Sequence, residues 1–287
     1  MMAFIGLATR FTNATHTIQQ YQAVKDKILE YGLNIIRLGS GDELFSSSYT
    51  WHNGDAVQWF LDNTDCVVVV DRDHTIQLTS LSSSQQNIID AHLEEMTIRW
   101  RGYGDRLWLE PVNEYGGSDF YTQMQRFLDV FRSKGYMNWL VFNKQSQPWS
   151  TCNLNDALNK IYIGYHYYFN SWSYENAVND LNNGAALGKP IFGSEEGASW
   201  KETSDFTSEN VGRLNRYLQY CADAGYSNVV WMNHELNNMT RYEELGLVFP
   251  KVEPQPPPPP PPSSVLPLII IGGMFFLLSR DKEVKKR

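Results

Sequence analysis

Eight short apolar segments lie between residues 3 and 250, each followed by a helical pattern or a loop, and this order limits the fold more than any other feature. Each apolar segment has four to six residues, an ordinary length for a strand. The strand segments are Phe4–Leu7, Leu33–Leu38, Cys66–Asp71, Arg106–Pro111, Trp139–Phe142, Ile161–His166, Pro190–Ser194 and Asn228–Met232. The helical segments between them are Thr15–Tyr31, Asp55–Asp62, Gln85–Trp100, Phe120–Ser133, Ala177–Asn183 and Ser208–Ala224.

This order predicts an α/β fold, specifically a (β/α)8 TIM barrel. Strands that are joined by helices pair in parallel, and eight such units close into a barrel of about 250 residues. The four consecutive valines from Val67 to Val70 agree, because barrel strands are buried on both faces. An open doubly wound sheet is the alternative. Its nucleotide loop is not evident, since Gly39-Ser40-Gly41 lacks the full G-x-G-x-x-G pattern and is better explained as a turn.

The composition changes abruptly after the barrel. We assign residues 1–250 to the barrel, 251–264 to a proline-rich linker, 265–279 to a transmembrane anchor and 280–287 to a basic tail. The seven prolines from Pro256 to Pro262 favour a stiff polyproline II spacer. Val265–Leu278 predicts a short hydrophobic helix, although a full span needs roughly 20 residues. The alternative is a hydrophobic tail that is processed off or docks on a partner.

The two ends of the chain give conflicting indications of location. The basic residues after the apolar run favour a cytoplasmic C-terminus, which would place the barrel outside the cell. Residues 1–8, however, lack the charged start of a signal peptide and lead directly into the first predicted strand. We therefore expect a membrane-anchored protein. The basic end favours an extracellular barrel, while the start of the sequence leaves the side of the membrane open.

Charge excludes one class of partner, and the aromatic content favours another. The residues after Pro250 hold six Lys/Arg and three Asp/Glu, so residues 1–250 hold 18 basic and 29 acidic side chains. Such an acidic domain repels phosphate backbones, which argues against nucleic acid. Nine Trp and sixteen Tyr offer flat faces on which sugar rings stack, or else they build an aromatic core. The three cysteines include no C-x-x-C pair, so a disulfide framework or zinc site is not expected.

Chemically active side chains follow the predicted strands at the end where barrel enzymes have their active site. The set contains two acids, two histidines, an arginine, an amide and two aromatic residues. Its members are Arg37, His74, Asn113, Glu114, His166, Tyr168, Glu195 and Trp231. A structural barrel would collect such groups at one rim only rarely, so the pattern indicates a catalytic site.

These residues also carry a resemblance to a known family. The segment Leu109–Glu114 resembles the Asn-Glu signature that follows strand four in family-five and related clan A glycoside hydrolases. The segment Pro190–Gly197 resembles the strand-seven Gly-Glu-Phe-Gly segment, and the match from Pro190 places the nucleophile at Glu195. Further matches are the His-x-Tyr at His166-Tyr167-Tyr168, the strand-two arginine at Arg37 and the strand-eight platform at Trp231.

The chain departs from the family pattern at several positions. Tyr115 stands where proline usually follows the Asn-Glu pair. Ser194 and Glu196 flank Glu195 where glycine and an aromatic residue are common, so Glu196 is the alternative nucleophile. The family histidine after strand three matches His74. Among the tryptophans of the predicted loops, which also include Trp51, Trp149 and Trp172, we favour Trp200 as a sugar platform.

The resemblance implies a retaining glycosidase that acts on a β-linked polysaccharide or oligosaccharide, of the endo-β-glucanase or β-mannanase type. Retaining enzymes need two carboxyl groups about 5–5.5 Å apart. Glu195 would attack while charged, held by Arg37 and Tyr168, and Glu114 would donate the proton. Asn113 would bind the sugar 2-hydroxyl.

Several alternatives stay open beside this interpretation. The protein could be a non-catalytic carbohydrate-binding or surface protein, or a transglycosylase. Arg37 could pair with Glu43 at the surface, His166 could be an ordinary core histidine, and Glu114 could be a solvated loop acid. No cofactor or metal is expected, because His234-Glu235 lacks the second histidine of H-E-x-x-H. We expect a monomer.

Overall fold

The computed structural model describes residues 3–10, 17–39, 54–71, 82–114, 117, 119–144, 147–152, 154–199, 206–234 and 238–251. Eight strands form a closed barrel in which each strand pairs in parallel with its neighbours in chain order. The predicted (β/α)8 barrel is therefore confirmed, and the open doubly wound sheet is excluded. The strands are β1 Ile5–Arg10, β2 Ile35–Gly39, β3 Val67–Asp71, β4 Leu107–Glu110, β5 Leu140–Asn143, β6 Ile161–Tyr168, β7 Ile191–Gly197 and β8 Ser227–His234.

The described residues include seven α-helices. They are α1 Ile18–Tyr31, α2 Gly54–Asn63, α3 Ser83–Trp100, α4 Phe120–Ser133, α5 Tyr174–Ala185, α6 Ser208–Ala224 and α7 Met239–Glu244. Side chains fix several helix ends: the hydroxyl of Ser173 accepts a hydrogen bond from Asn176 N–H at the start of α5, and Thr207 does the same for α6. Helix α1 ends at Gly32, whose φ of 65° is the left-handed conformation that glycine adopts freely.

Apolar side chains fill the barrel below its catalytic end. An inner cluster comprises Ala8, Ile35, Val67, Val69, Trp108, Val141, Tyr162, Phe192 and Val229. At its centre the rings of Trp108 and Tyr162 are stacked 4.6 Å apart. A second, larger apolar cluster packs the outer faces of the strands against the helices. The interior is thus a packed core, and polar groups in it lie toward the C-terminal ends of the strands.

The strand ends differ from the sequence prediction on one side of the barrel. β6 continues to Tyr168 and β7 to Gly197, so Tyr168 and Glu195 lie within strands and not in the loops after them. The six-residue α7 was not predicted, because one and a half turns carry too little periodicity to show. Cys66, Cys152 and Cys221 are buried free thiols.

The described chain ends at the far side of the barrel from the catalytic rim. Phe249 packs on Tyr31, the last residue of α1, with ring centroids 5.1 Å apart. Because the end of α1 leads into the start of β2, this contact lies at the N-terminal end of the strands. Lys251 follows and is exposed. The linker, anchor and basic tail assigned to residues 251–287 lie outside the described residues beyond this point. Within the part of the chain that is described, no helix is both long and apolar enough to cross a membrane.

Candidate active site

Arg37 is the centre of a buried polar cluster above the apolar floor. Only 1% of its surface is exposed, which excludes the surface pairing with Glu43. Its Nε donates to Glu110 Oε2 (2.7 Å), its Nη1 to Glu195 Oε2 (3.1 Å) and its Nη2 to Asn113 Oδ1 (3.0 Å). Nη2 also lies 2.9 Å from Asp71 Oδ2. Burial lowers the pKa of Arg37, but the surrounding carboxylates outweigh it and raise the pKa above its ordinary value.

A β-bulge in β7 decides which of two adjacent glutamates enters this cluster. Tyr165 pairs with Gly193, whereas His166 pairs with Glu195, so β7 contains one extra residue at Ser194. The alternation of the strand shifts at this point. Ser194 and Glu195 both face the barrel interior, while Glu196 lies behind the wall beside the backbone of Tyr167.

Both carboxylate oxygens of Glu195 are held by donors. Tyr168 donates its phenolic hydrogen to Oε1, and Arg37 donates to Oε2. The side chain is 11% exposed, so it is enclosed yet still accessible from the rim. A cation and a phenol together stabilise the charged form of a carboxylate and fix its direction. This arrangement suits an acid that must remain ionised and aimed.

Glu114 is placed by an unusual backbone conformation. Its φ is 50°, a left-handed value that costs a non-glycine residue on the order of 1 kcal/mol or more. The turn follows β4 directly, and it sets the side chain at the rim with 25% of its surface exposed. Glu114 Oε1 then lies 2.8 Å from His166 Nδ1. Because this contact is fixed and partly enclosed, Glu114 is not simply a solvated loop acid.

The hydrogen bonds around Ser194 determine the protonation of His166. The Ser194 hydroxyl donates its single hydrogen to Glu110 Oε1 (3.2 Å) and accepts from Asn143 Nδ2 (3.1 Å). His166 Nε2 lies 3.2 Å from the same oxygen and must be the donor, because the hydroxyl hydrogen is already used. Its Nδ1 therefore either accepts from a protonated Glu114 or, in the imidazolium, donates to the carboxylate. In both states one proton lies between His166 and Glu114.

Electrostatics favour retention of protons at His166. Burial lowers the pKa of His166, but the charge of Glu195 and the hydrogen bond with Glu114 raise it by a larger amount. The pKa therefore lies above the ordinary value of 6.5. His166 is therefore a member of the polar network and not an ordinary core histidine. Chemically, the site presents one carboxyl group that is held by Arg37 and Tyr168 and a second that contacts an imidazole ring.

The remaining predicted residues divide into two groups. Trp231 lies on β8 opposite Ala8, partly buried, and packs on the inner apolar cluster. His74 and Trp200 lie outside the described residues. Sequence reasoning did not select the four polar partners Asp71, Glu110, Asn143 and Ser194. Three of them end β3, β4 and β5, so the rule that selected the other rim residues could have found them.

A cavity of about 500 Å³ opens at the opposite end of the barrel. It is lined by residues that precede or begin β5 to β8, among them Trp139, Tyr162, Lys189 and Tyr226. None of the predicted site residues that the structure describes borders this cavity. The cavity is therefore separate from the candidate site, whose carboxyl groups lie at the C-terminal ends of the strands.

Comparisons with known proteins agree with this architecture. The chain is similar to the cellulose synthase subunit CcsZ from Clostridioides difficile, at 12% identity and a TM-score of 0.63, over 80% of this chain and 91% of that one. It is similar to Cel5A of Thermotoga maritima, solved with mannotriose, at 12% identity and a TM-score of 0.63, over 80% and 90% of the two chains. A broad-specificity endoglucanase from an uncultured bovine rumen ciliate shares 18% identity, with a TM-score of 0.60, over 76% and 78%.

Structural similarity at such low identity establishes the fold alone. None of the curated proteins matches the chain. The model of the cellulase family, glycosyl hydrolase family 5, matches residues 3–237, which is most of the chain and includes every strand of the barrel. The chain therefore belongs to glycosyl hydrolase family 5, the cellulase family.

Proposed function

We propose that the protein is a retaining glycoside hydrolase that cleaves a β-linked polysaccharide of the glucan or mannan type by double displacement. The observation that supports this most strongly is the difference between its two rim carboxyl groups. Glu195 is bound by Arg37 and Tyr168, whereas Glu114 lies against the imidazole ring of His166. Double displacement requires this division, because one carboxyl must attack as an anion while the other donates a proton.

In the first step, Glu195 attacks the anomeric carbon and the bond from that carbon to the leaving oxygen breaks. Glu114 gives its proton to the leaving oxygen, and a glycosyl ester with Glu195 forms. His166 holds the direction of the Glu114 carboxyl group, since its Nδ1 lies 2.8 Å from Glu114 Oε1. Arg37 and Tyr168 keep the attacking carboxylate in one orientation, which lowers the entropic cost of the step.

In the second step, Glu114 acts as the base. It takes a proton from a water molecule, the water oxygen attacks the anomeric carbon, and the ester bond to Glu195 breaks. Both carboxyl groups then return to their starting states. Asn113 lies beside Glu114 and accepts from Arg37, so its amide is fixed at the position where the 2-hydroxyl of the sugar would bind.

The named specificities of similar structures support a β-linked polymer and leave two backbones open. One similar structure is a xyloglucan-specific endo-β-1,4-glucanase in complex with cellotriose, and another holds mannotriose. Glucan and mannan differ at the 2-hydroxyl of each sugar. Discrimination between them depends on contacts near Asn113 and on rim loops.

A polysaccharide panel tests the proposed function. The protein is incubated with β-1,4-glucan, xyloglucan, mannan and, as a control, the α-linked polymer amylose. We expect reducing ends to appear with at least one β-linked polymer and none with amylose, together with an early fall in viscosity that indicates internal cleavage. Retention is read by NMR from the anomeric configuration of the first product. Inverted product would exclude the double displacement, and the absence of cleavage of any β-linked polymer would favour a carbohydrate-binding protein.

We also propose that the C-terminal segment attaches the protein to a membrane, with the catalytic barrel outside the cell. The support is the sequence order of a stiff proline run, the apolar segment 265–279 and a basic end. We expect the full chain to sediment with membranes and to be released by detergent, and a chain that ends at residue 254 to remain in the supernatant. Equal recovery of both chains in the soluble fraction, with the tail still present by mass spectrometry, would contradict the attachment.

A further inference from the structure

Glu196 is an acidic residue that the proposed chemistry does not use. It follows the attacking residue directly, yet it is completely buried on the other side of the β7 wall. Its Oε2 accepts a hydrogen bond from Tyr167 N–H (3.2 Å), and its Oε1 has no hydrogen-bond partner among the described residues. A Cβ added to Gly193 would lie 2.6 Å from Oε1, so the carboxyl group occupies the space that this glycine leaves.

No positive charge compensates a negative charge at this position among the described groups that act on it. The groups that face Glu196 are Tyr165 and Tyr167 on β6, Tyr217 and Cys221 on α6, and Glu195 on its own strand. They form a connected cluster, in which Tyr217 donates to the Tyr165 hydroxyl and Tyr165 donates to Asn228. A carboxylate with one hydrogen bond in such surroundings would be strongly destabilised.

The location of the contact connects Glu196 to the bulge. Tyr167 is the register partner of Glu196, and the strand register shifts on both sides of β7 just before this pair. The Glu196 carboxyl therefore accepts the hydrogen bond of a main-chain N–H on β6, at the point where regular strand pairing begins again after the bulge. An interaction that holds Tyr167 and Glu196 together therefore also holds the inward direction of Glu195, one residue earlier.

We propose that Glu196 is a protonated positioning residue, a neutral carboxylic acid whose hydrogen bond to β6 holds the β7 bulge that turns Glu195 toward Arg37. Burial raises the pKa of Glu196 well above its ordinary value, and the charge of Glu195 adds to this effect, against the smaller influence of the Tyr167 hydrogen bond. The catalytic consequence rests on the proposed function, whereas the protonation does not.

The protonation can be tested without any substrate. A folded-state pKa above the unfolded value near 4.5 means that wild-type protein loses stability as the pH rises from 4.5 through the folded pKa, because the unfolded chain releases a proton that the fold retains. Glu196→Gln removes this titration. Unfolding by urea is measured at pH 5, 6, 7 and 8. For each pH unit, the unfolding equilibrium constant of the wild type should rise relative to that of the variant by up to about tenfold. A constant difference across this range would overturn the inference.

The positioning role is tested by two matched variants of the full chain. Glu196→Gln keeps a neutral acceptor for Tyr167 N–H, and we expect a kcat within about threefold of wild type. Glu196→Leu has a similar volume but no acceptor, and we expect kcat to fall at least about tenfold with little change in KM. Equal kcat for both variants would overturn the positioning role. A Gln variant as inactive as Glu195→Gln would instead move the nucleophile and overturn the proposed assignment. Wild-type protein without activity would refute the proposed function alone, because the unfolding experiment still decides the protonation.

Discussion

Glu195→Gln is expected to lower the turnover of a β-linked polysaccharide by roughly 10⁴- to 10⁶-fold, the loss typical when a covalent nucleophile is removed. The amide cannot attack the anomeric carbon, yet it occupies nearly the same volume, and its oxygen can accept from Arg37 while its NH2 donates to the Tyr168 hydroxyl oxygen. Folding should therefore be retained. The measurement is the rate of reducing-end release, with thermal unfolding recorded on the same preparation.

Glu114→Gln should behave differently in a way that identifies its role. Loss of general acid catalysis lowers the rate by about 10²- to 10⁴-fold. Aryl glycosides with an acidic phenol as leaving group need little protonation, so their first step should be much less impaired than that of a polysaccharide. Glu244→Gln is the control, because Glu244 is an exposed glutamate paired with Arg241 on α7. Near-normal turnover of the polysaccharide by either rim variant would refute the assignment.

Arg37→Met is expected to produce the largest loss of stability, about 3–5 kcal/mol, as is typical when one partner is removed from a buried ionic network. Asp71 and Glu110 would then face Glu195 without a cation, although both of these partner acids are completely buried. Arg37→Lys should restore the charge only in part, because one ammonium cannot reproduce the planar set of donors. Urea unfolding at neutral pH measures the effect.

The matched control for this variant is Arg241→Met, which removes an exposed guanidinium from a surface pair and should change stability by no more than about 0.5 kcal/mol. An Arg37→Met protein as stable as wild type would show that the buried network does not require the cation.

Much of the barrel could be predicted from the sequence because each strand and helix carries its own local signal. The runs of apolar residues located all eight strands, and motif order selected Arg37, Asn113 and Glu114 before any distance was known. The pairing of Arg37 with Asp71 and Glu110 could not be derived in the same way. Whether Asp71 and Glu110 meet one guanidinium depends on the register between β2, β3 and β4, which a strand's own residues do not specify.

The bulge explains the other gap. A strand with strict alternation would turn Ser194 and Glu195 to opposite faces, and sequence periodicity contains no sign of the extra residue. Two of the departures from the family pattern, Ser194 and Glu196, gain a structural reason there. The Ser194 hydroxyl contacts both His166 and Glu110. The Glu196 carboxyl accepts a hydrogen bond from Tyr167 N–H on the outer side of the β7 wall.

The place where the described chain ends has a practical consequence for handling the enzyme. Lys251 follows Phe249, which packs at the end of α1, at the opposite pole from Glu114 and Glu195. A bead, an affinity tag or a fused sugar-binding module that is joined to a chain cut after Lys251 therefore starts from the end of the barrel opposite the two carboxyl groups. The rim that carries Glu114 and Glu195 can then face an insoluble fibre. Oriented immobilisation through residue 251 is thus the natural format for this protein.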